Sequence, residues 1–258
     1  MNVKLIAHTA LSDDFIESVT DLEQDEDTGH YYDTYPYTNE RAAVALTAIR
    51  TCYSPNKPSE IVALEGEKYF GRSATDGEDG SEADRLFRHI IRSGHQSTVE
   101  HLTYTFAVEG VSRTLLAQLT RHRQFSFSVQ SQRYVKFGSG DKSGGFDYVT
   151  PPSLDGKFSY SNGGMTAIEI FDDFMDQAQA YYDELRSIGV PAEDARMVLP
   201  NAAACCLVMT ANLRAILEFY RKRNRSTHAQ WEIAELAEHI REEITKVDAW
   251  TTRFFDEA

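Results

Sequence analysis

A single domain of mixed helix and sheet is what this 258-residue sequence predicts, and three observations carry that expectation. Two runs, Asn2 to His8 and His101 to Val108 (HLTYTFAV), are rich in strand-forming residues. Several longer stretches repeat apolar residues at helical spacing, and neither an internal repeat nor a linker interrupts residues 1–258. With 41% hydrophobic residues, the chain can bury a substantial core.

After the opening strand, the acidic stretch from Ser12 to Glu40, with YYDTYPY inside it, reads as a surface insertion. ERAAVALTAIR, residues 40–50, is spaced as a helix that Pro55 and Pro58 stop, and GRSATDGEDG, residues 71–80, reads as a second exposed insertion. Ala83 to Ser93 places Leu86, Phe87, Ile90 and Ile91 on one side of a helix, with Gly94 as its stop. Glu109 and Gly110 end the second strand, and Ser112 is suited to cap a helix running to about Arg123. Ser126 to Phe137 reads as a returning strand, and GSGDKSGGF as a loop. A long helix follows from about Thr166 to Ile188, halted by Gly189. Another begins near Ala192, AAACCLVMT reads as an apolar helical run, and Ala211 to Arg223 and His228 to Val247 close the chain.

Charge narrows the function classes. Twenty-six Lys and Arg against 40 Asp and Glu leave a net −14, whose far field repels nucleic acid and anionic membranes. No apolar run is long enough to span a bilayer and the N-terminus lacks a signal-peptide pattern, so the expected location is the cytoplasm. Three cysteines, Cys52, Cys205 and Cys206, do not suggest a disulfide framework, in keeping with a reducing compartment. Eighteen of the cations are Arg, and this skew beside the acid excess resembles proteins kept soluble in concentrated salt.

Against that background the cations are unevenly kept. From Gly110 to Gly140 there is no acid, yet Arg113, Arg121, Arg123, Arg133 and Lys136 lie there. A second island, Asn212 to His228, sets Arg214, Arg221, Lys222, Arg223 and Arg225 against the single acid Glu218, and Arg196 stands apart. The guanidinium fork grips phosphate through paired donors, so both islands suit an anionic ligand; the competing reading is that these arginines pair with the acid excess. Gln118 and Arg121 share a face if the helix reaches Arg123, and Ser126, Ser128, Gln130, Ser131 and Gln132 add polar partners that suit a nucleotide or flavin. Phe125, Phe127, Tyr134 and Phe137, interleaved with arginines, leave open a single-strand-binding surface.

Other constellations fail. Cys205 and Cys206 sit in an apolar run where a thiol is most simply buried, which argues against a nucleophilic cysteine. His95, Glu100 and His101 lack any HExxH or CxxC companion, so no metal is expected, and no GxGxxG or P-loop occurs.

Arg121-His122-Arg123 followed seven residues later by Ser131 resembles the RHR-x7-S signature of flavin-dependent thymidylate synthases. GHQSTVEH (94–101), SQRY (131–134), ARMVLPN (195–201), NLR (212–214) and HAQWEI (228–233) extend the resemblance over residues 40–255. It implies an α+β fold with a central β-sheet and packed long helices, assembled as a homotetramer with active sites at subunit interfaces. It implies conversion of dUMP to dTMP, with methylenetetrahydrofolate as carbon donor and an FAD-borne hydride from NADPH, and no enzyme nucleophile. By position, Ser97, Arg121, His122, Arg123, Asn212 and Arg214 correspond to FAD contacts, with His95 bordering the flavin. Gln118, Arg121, Ser131, Arg133, Arg196 and Arg223 correspond to the dUMP set, Arg223 lying beside the pyrimidine as the catalytic group. Two departures stand out. Val129 replaces a polar residue two before the signature serine, so that contact is either lost or supplied by Gln130; and NRST separates Arg223 from HAQWEI by one residue more than in many relatives, making Arg225 its competitor.

Overall fold

The computed structural model describes residues 1–24 and 31–257. In chain order its elements are β1 (Asn2–His8), α1 (Asp13–Val19), β2 (Asp21–Gln24), β3 (Tyr31–Thr34), α2 (Glu40–Thr51), α3 (Ile61–Phe70), α4 (Glu82–Arg92), β4 (Thr103–Ser112), α5 (Arg113–Leu119), β5 (Ser126–Val129), α6 (Ala167–Ser187), α7 (Ala192–Ala195), β6 (Ala204–Asn212), α8 (Leu213–Arg223), α9 (Trp231–Val247) and α10 (Thr252–Asp256). A four-stranded sheet has the order β1-β4-β6-β5, and β2 pairs antiparallel with β3. The chain therefore folds as a mixture of sheet and helix, as expected. Among the described residues no helix is long and apolar enough to cross a membrane.

Two compact units are distinguished by their contacts, one formed by residues 1–4 and 107–209, the other by residues 5–106 and 210–258. In the first, Phe137, Tyr182 and Ala195 form a buried cluster with Val135, Phe146, Leu185, Val190 and Leu199 around it. Thr166 caps α6 through a reciprocal bond with Glu169, and the Tyr182 hydroxyl accepts the Phe137 N–H at 3.2 Å, fixing the loop that the sequence places at 138–146.

In the second unit, helices α2, α3, α4, α8 and α9 turn their apolar faces inward, burying among others Leu46, Ile49, Ile61, Phe87, Ile216, Phe219, Leu236 and Ile240. Ser81 caps α4 with a capping box to Asp84, and Asn39 caps α2 through Arg41 and Ala42. The 12–40 segment holds α1 and the β2-β3 pair; Val19 packs with Ala43 and Val62, while residues 25–30 lie outside the described residues. The 71–80 loop is exposed but tethered, since Arg88 donates to both Asp76 oxygens at 2.8 and 2.9 Å.

Four local expectations need correction. Helix α3, preceded by a short 3-10 turn at Pro58–Glu60, follows the prolines that were expected only to stop α2. Proline lacks an N–H but has a helix-ready φ, so it opens helical turns as well as ending them. Strand β4 runs on through Ser112, passing Gly110 at φ +66°, a conformation glycine adopts at no steric cost. The 126–137 segment is a strand only over Ser126–Val129 before turning. AAACCLVMT is no helix: Ala204–Asn212 is β6, with Cys205, Leu207, Met209 and Ala211 buried and Cys206 and Val208 exposed.

Glu65 on α3 ties this unit together. Burial disfavours its charge, but hydrogen bonds from Ser54 (2.5 Å), Arg50 (2.6 Å) and Asn56 (3.0 Å) prevail and hold its carboxyl below the ordinary value of 4.5. A depressed folded-state value means that this stabilisation is complete above the unfolded carboxyl range and is lost as pH falls through the folded value. Glu65→Gln is accordingly expected to flatten the fall in melting temperature below about pH 4.5. An unchanged acid limb in calorimetry would contradict it.

Candidate functional site

In the first unit the signature residues gather at the end of α5. Ser112 caps this helix through the Leu115 N–H at 3.0 Å, as expected. The helix, however, ends at Leu119, and Arg121 follows in a turn whose N–H donates to the Gln118 carbonyl at 3.3 Å. Gln118 and Arg121 are therefore neighbours through a turn and not along a helix face. The His122 ring lies 5.8 Å from that of Phe125, which is buried, so the turn is pinned by one aromatic while Arg121 and Arg123 are exposed. Among the described residues neither guanidinium has a carboxylate partner, although the chain holds 40 acids.

Strand β5 then leads to Gln130, whose N–H donates to the Cys206 carbonyl at 2.8 Å. Gln130 lines a cavity of about 490 Å³ with Val135, Phe137, Tyr148 and Cys206. In the following turn the Ser131 hydroxyl accepts the Arg133 N–H at 3.2 Å. Arg133 stacks over the exposed Tyr134 ring, 5.6 Å from its centroid, and its Nε donates to Glu193 at 3.0 Å. Arg196, at the C-terminal end of α7, donates its Nε to the main-chain carbonyl of the same Glu193 at 2.9 Å. Arg133 and Arg196, 63 residues apart in sequence, are thus brought together through Glu193. Phe125 and Phe137 are buried, which removes two of the four aromatics from any stacking surface.

The second unit carries the remaining assigned residues. Ser97 is exposed on the 3-10 turn Gln96–His101, and half-buried His95 precedes it. The His95 Nδ1 lies 2.9 Å from the Tyr53 hydroxyl, with the two rings edge to face. The Asn212 side chain caps α8, accepting the Ala215 N–H at 2.9 Å, and the Leu213 N–H donates to the Leu102 carbonyl at 2.8 Å. Arg214 donates to Glu100 at 2.5 Å and sits 3.6 Å from Glu218, which draws α8 against the turn bearing Ser97. Arg223 is the last residue of α8. Nine residues after Arg214, it lies about half a helical revolution away on the opposite face. Arg225 is exposed in the turn beyond, lining a cavity of about 340 Å³ with Tyr220, Glu238 and Arg241.

Pairing with the acid excess is therefore true of Arg133 and Arg214 and not of Arg121 or Arg123 among the described residues. Sequence reasoning missed Glu193 and Tyr53, and weighed Glu100 only as a metal ligand and not as the partner of Arg214. Glu193 has a visible signal, an acid three positions before Arg196 in AEDAR, where one helical turn brings the two together. FAD carries a pyrophosphate and a planar ring system, and the unpaired guanidiniums of Arg121 and Arg123 fit the former as charge-assisted donors. Beside them the half-buried His122 ring adds flat contact surface.

On a fold of mixed sheet and helix, the exposed guanidiniums of Arg121 and Arg123 suit an anionic ligand. The chain belongs to the thymidylate synthase complementing protein (Thy1) family, whose model matches residues 35–248. It is 34% identical over 228 residues to a flavin-dependent thymidylate synthase of Clostridium tetani, covering 82% of this chain and 80% of that one. To the flavin-dependent thymidylate synthase of Haloarcula marismortui it is 41% identical over 172 residues, covering 62% and 69%. A crystal structure of the UMP/dUMP methylase PolB from Streptomyces cacaoi, bound with 5-Br dUMP, shares the fold with a TM-score of 0.67 at 22% identity, over 99% of this chain and 94% of that one.

Proposed function

We propose that this chain is a flavin-dependent thymidylate synthase that methylates dUMP with a one-carbon unit from methylenetetrahydrofolate and reducing equivalents from NADPH. The observation that carries the reading is the pair of guanidiniums of Arg121 and Arg123, exposed and without a carboxylate partner among the described residues of an acid-rich chain. FAD, when bound, supplies the hydride that completes the methyl group. Ser97, His95, Arg121, His122, Arg123, Asn212 and Arg214 are the groups we assign to hold it, from the resemblance to the family's motifs.

The substrate set is Gln118, Arg121, Gln130, Ser131, Arg133, Arg196 and Arg223. Arg133 and Arg196 supply guanidinium donors to the nucleotide phosphate, and Gln118, Gln130 and Ser131 supply amide and hydroxyl partners to sugar and base. Arg223 opposes the negative charge that develops across N3 and O4 of the pyrimidine, which a fixed guanidinium does without moving a proton. The cysteines need no part: Cys205 is buried in β6 and Cys206 points from its other face. Helix α6 leaves Ile170, Phe174 and Tyr181 exposed, and at 100° per residue these three fall within about 40° of one another. Such an apolar stripe supports self-association; the homotetrameric state is the one that the family resemblance implies.

The purified protein is expected to be yellow or to bind added FAD, and to release tritium from C5-labelled dUMP only with NADPH and the folate present. Arg121→Ala is expected to lose flavin and dUMP binding together. A colourless protein without flavin affinity would overturn the assignment, and loss of one ligand alone would remove Arg121 from the shared position.

A further inference from the structure

We propose that Glu193 is an internal counter-anion, seated on Arg133 in place of the substrate's phosphate, so that nucleotide binding at the proposed site is an exchange of one anion for another. The inference rests on the dUMP assignment of Arg133 and Arg196 and adds to it the group against which the phosphate competes.

Two arginines from separate segments converge on this one residue, by different atoms. The Arg133 Nε donates to the Glu193 carboxylate at 3.0 Å, whereas the Arg196 Nε donates to its main-chain carbonyl at 2.9 Å. The main-chain bond anchors the backbone of Glu193 beside Arg196, independently of where its side chain points. The carboxylate is thereby free to leave Arg133 while the backbone stays in place. Arg133 is held in the meantime from two other sides, by the Ser131 hydroxyl on its N–H and by the Tyr134 ring beneath its guanidinium.

Exposure decides the strength of the contact. With side chains 53% and 48% exposed, this is a solvent-screened pair, and such pairs contribute little to folding. A phosphate brings close to two negative charges and three acceptor oxygens to the same fork, so it outcompetes one carboxylate at modest concentration. A ligand lacking the phosphate gains nothing from Arg133 and leaves Glu193 in place. Glu193 therefore lowers the affinity for a nucleotide while leaving that for a nucleoside unchanged, and so moderates the grip that Arg133 has on phosphate.

Glu193→Gln, which keeps the backbone contact and side-chain size but removes the charge, tests this by calorimetric titration of the holoenzyme. The variant is expected to bind dUMP and inorganic phosphate about three- to tenfold more tightly than the native protein, with deoxyuridine binding unchanged and the gain shrinking as salt rises. Arg133→Ala in the same background is expected to erase the gain. Phosphate and dUMP binding that is equal or weaker in Glu193→Gln overturns the proposal. The two readings separate cleanly. Tighter phosphate with no dUMP binding in either protein retains the counter-anion and removes the dUMP assignment, whereas equal dUMP binding in both retains the assignment and removes the counter-anion.

Discussion

Asp248→Ala is expected to destabilise the protein by about 3–5 kcal/mol, the cost of leaving a buried charge without its partner. Asp248 is 0% exposed and receives the Arg41 Nε at 2.8 and 2.9 Å, the Tyr104 hydroxyl at 2.8 Å and the Trp250 Nε1 at 3.2 Å. Removing the carboxylate leaves the Arg41 guanidinium without its counter-charge and the Tyr104 phenol without its acceptor in one step. Tyr104 already feels the pair: burial and the neighbouring charge push its hydroxyl well above the ordinary value, so it stays a donor throughout the physiological range. Arg41 also donates to the Val247 carbonyl at 3.1 Å, so the loss reaches the C-terminal end of α9. Urea unfolding measures the effect, and a change below about 1 kcal/mol would mean that water reaches the pair and screens it.

The second large effect concerns catalysis. Arg223→Ala is expected to lower kcat/KM by about 10²–10³, the worth of one preorganised donor to developing charge, and Arg225→Ala to lower it far less. Structural reasons favour Arg223. Its position is counted from the Asn212 cap along an unbroken α8, and the buried Asn224 ends that helix by accepting the Ser226 N–H and hydroxyl at 3.0 and 2.6 Å. The Thr227 N–H then returns to the Asn224 carbonyl at 3.1 Å. A turn beyond the helix can therefore take up the additional residue of NRST without shifting Arg223. Steady-state kinetics on both variants decides the matter; a larger loss at Arg225 would move the assignment there.

Much of the fold was legible where capping chemistry is explicit. Ser112, Gly94 and Gly189 mark boundaries that the structure keeps, because a side-chain oxygen or a left-handed glycine terminates a helix whatever surrounds it. Strand β6 was misread for the converse reason. Period-two burial shows in sequence only if outward positions are polar, and Cys206 and Val208 are not. The early end of α5 was equally hidden, since Thr120, Arg121 and His122 do not forbid a helix; the turn is fixed by Phe125, which becomes buried four residues on. Within the candidate site, the RHR and SQRY motifs identified the residues but not their company. That Glu193 faces Arg133 depends on a contact across 60 residues, which no local pattern encodes.

Neither compact unit is an uninterrupted stretch of polypeptide: the first takes residues 1–4 as well as 107–209, and the second takes 5–106 as well as 210–258. No single truncation of the gene can deliver either one by itself. A fragment stopping before residue 210 forfeits α8 and α9 along with Arg214 and Arg223, and one starting after residue 106 forfeits Ser97 and His95. Ribosomal synthesis must therefore pass residue 210 before the larger unit can close, which makes the final fifth of the chain the part that commits the rest.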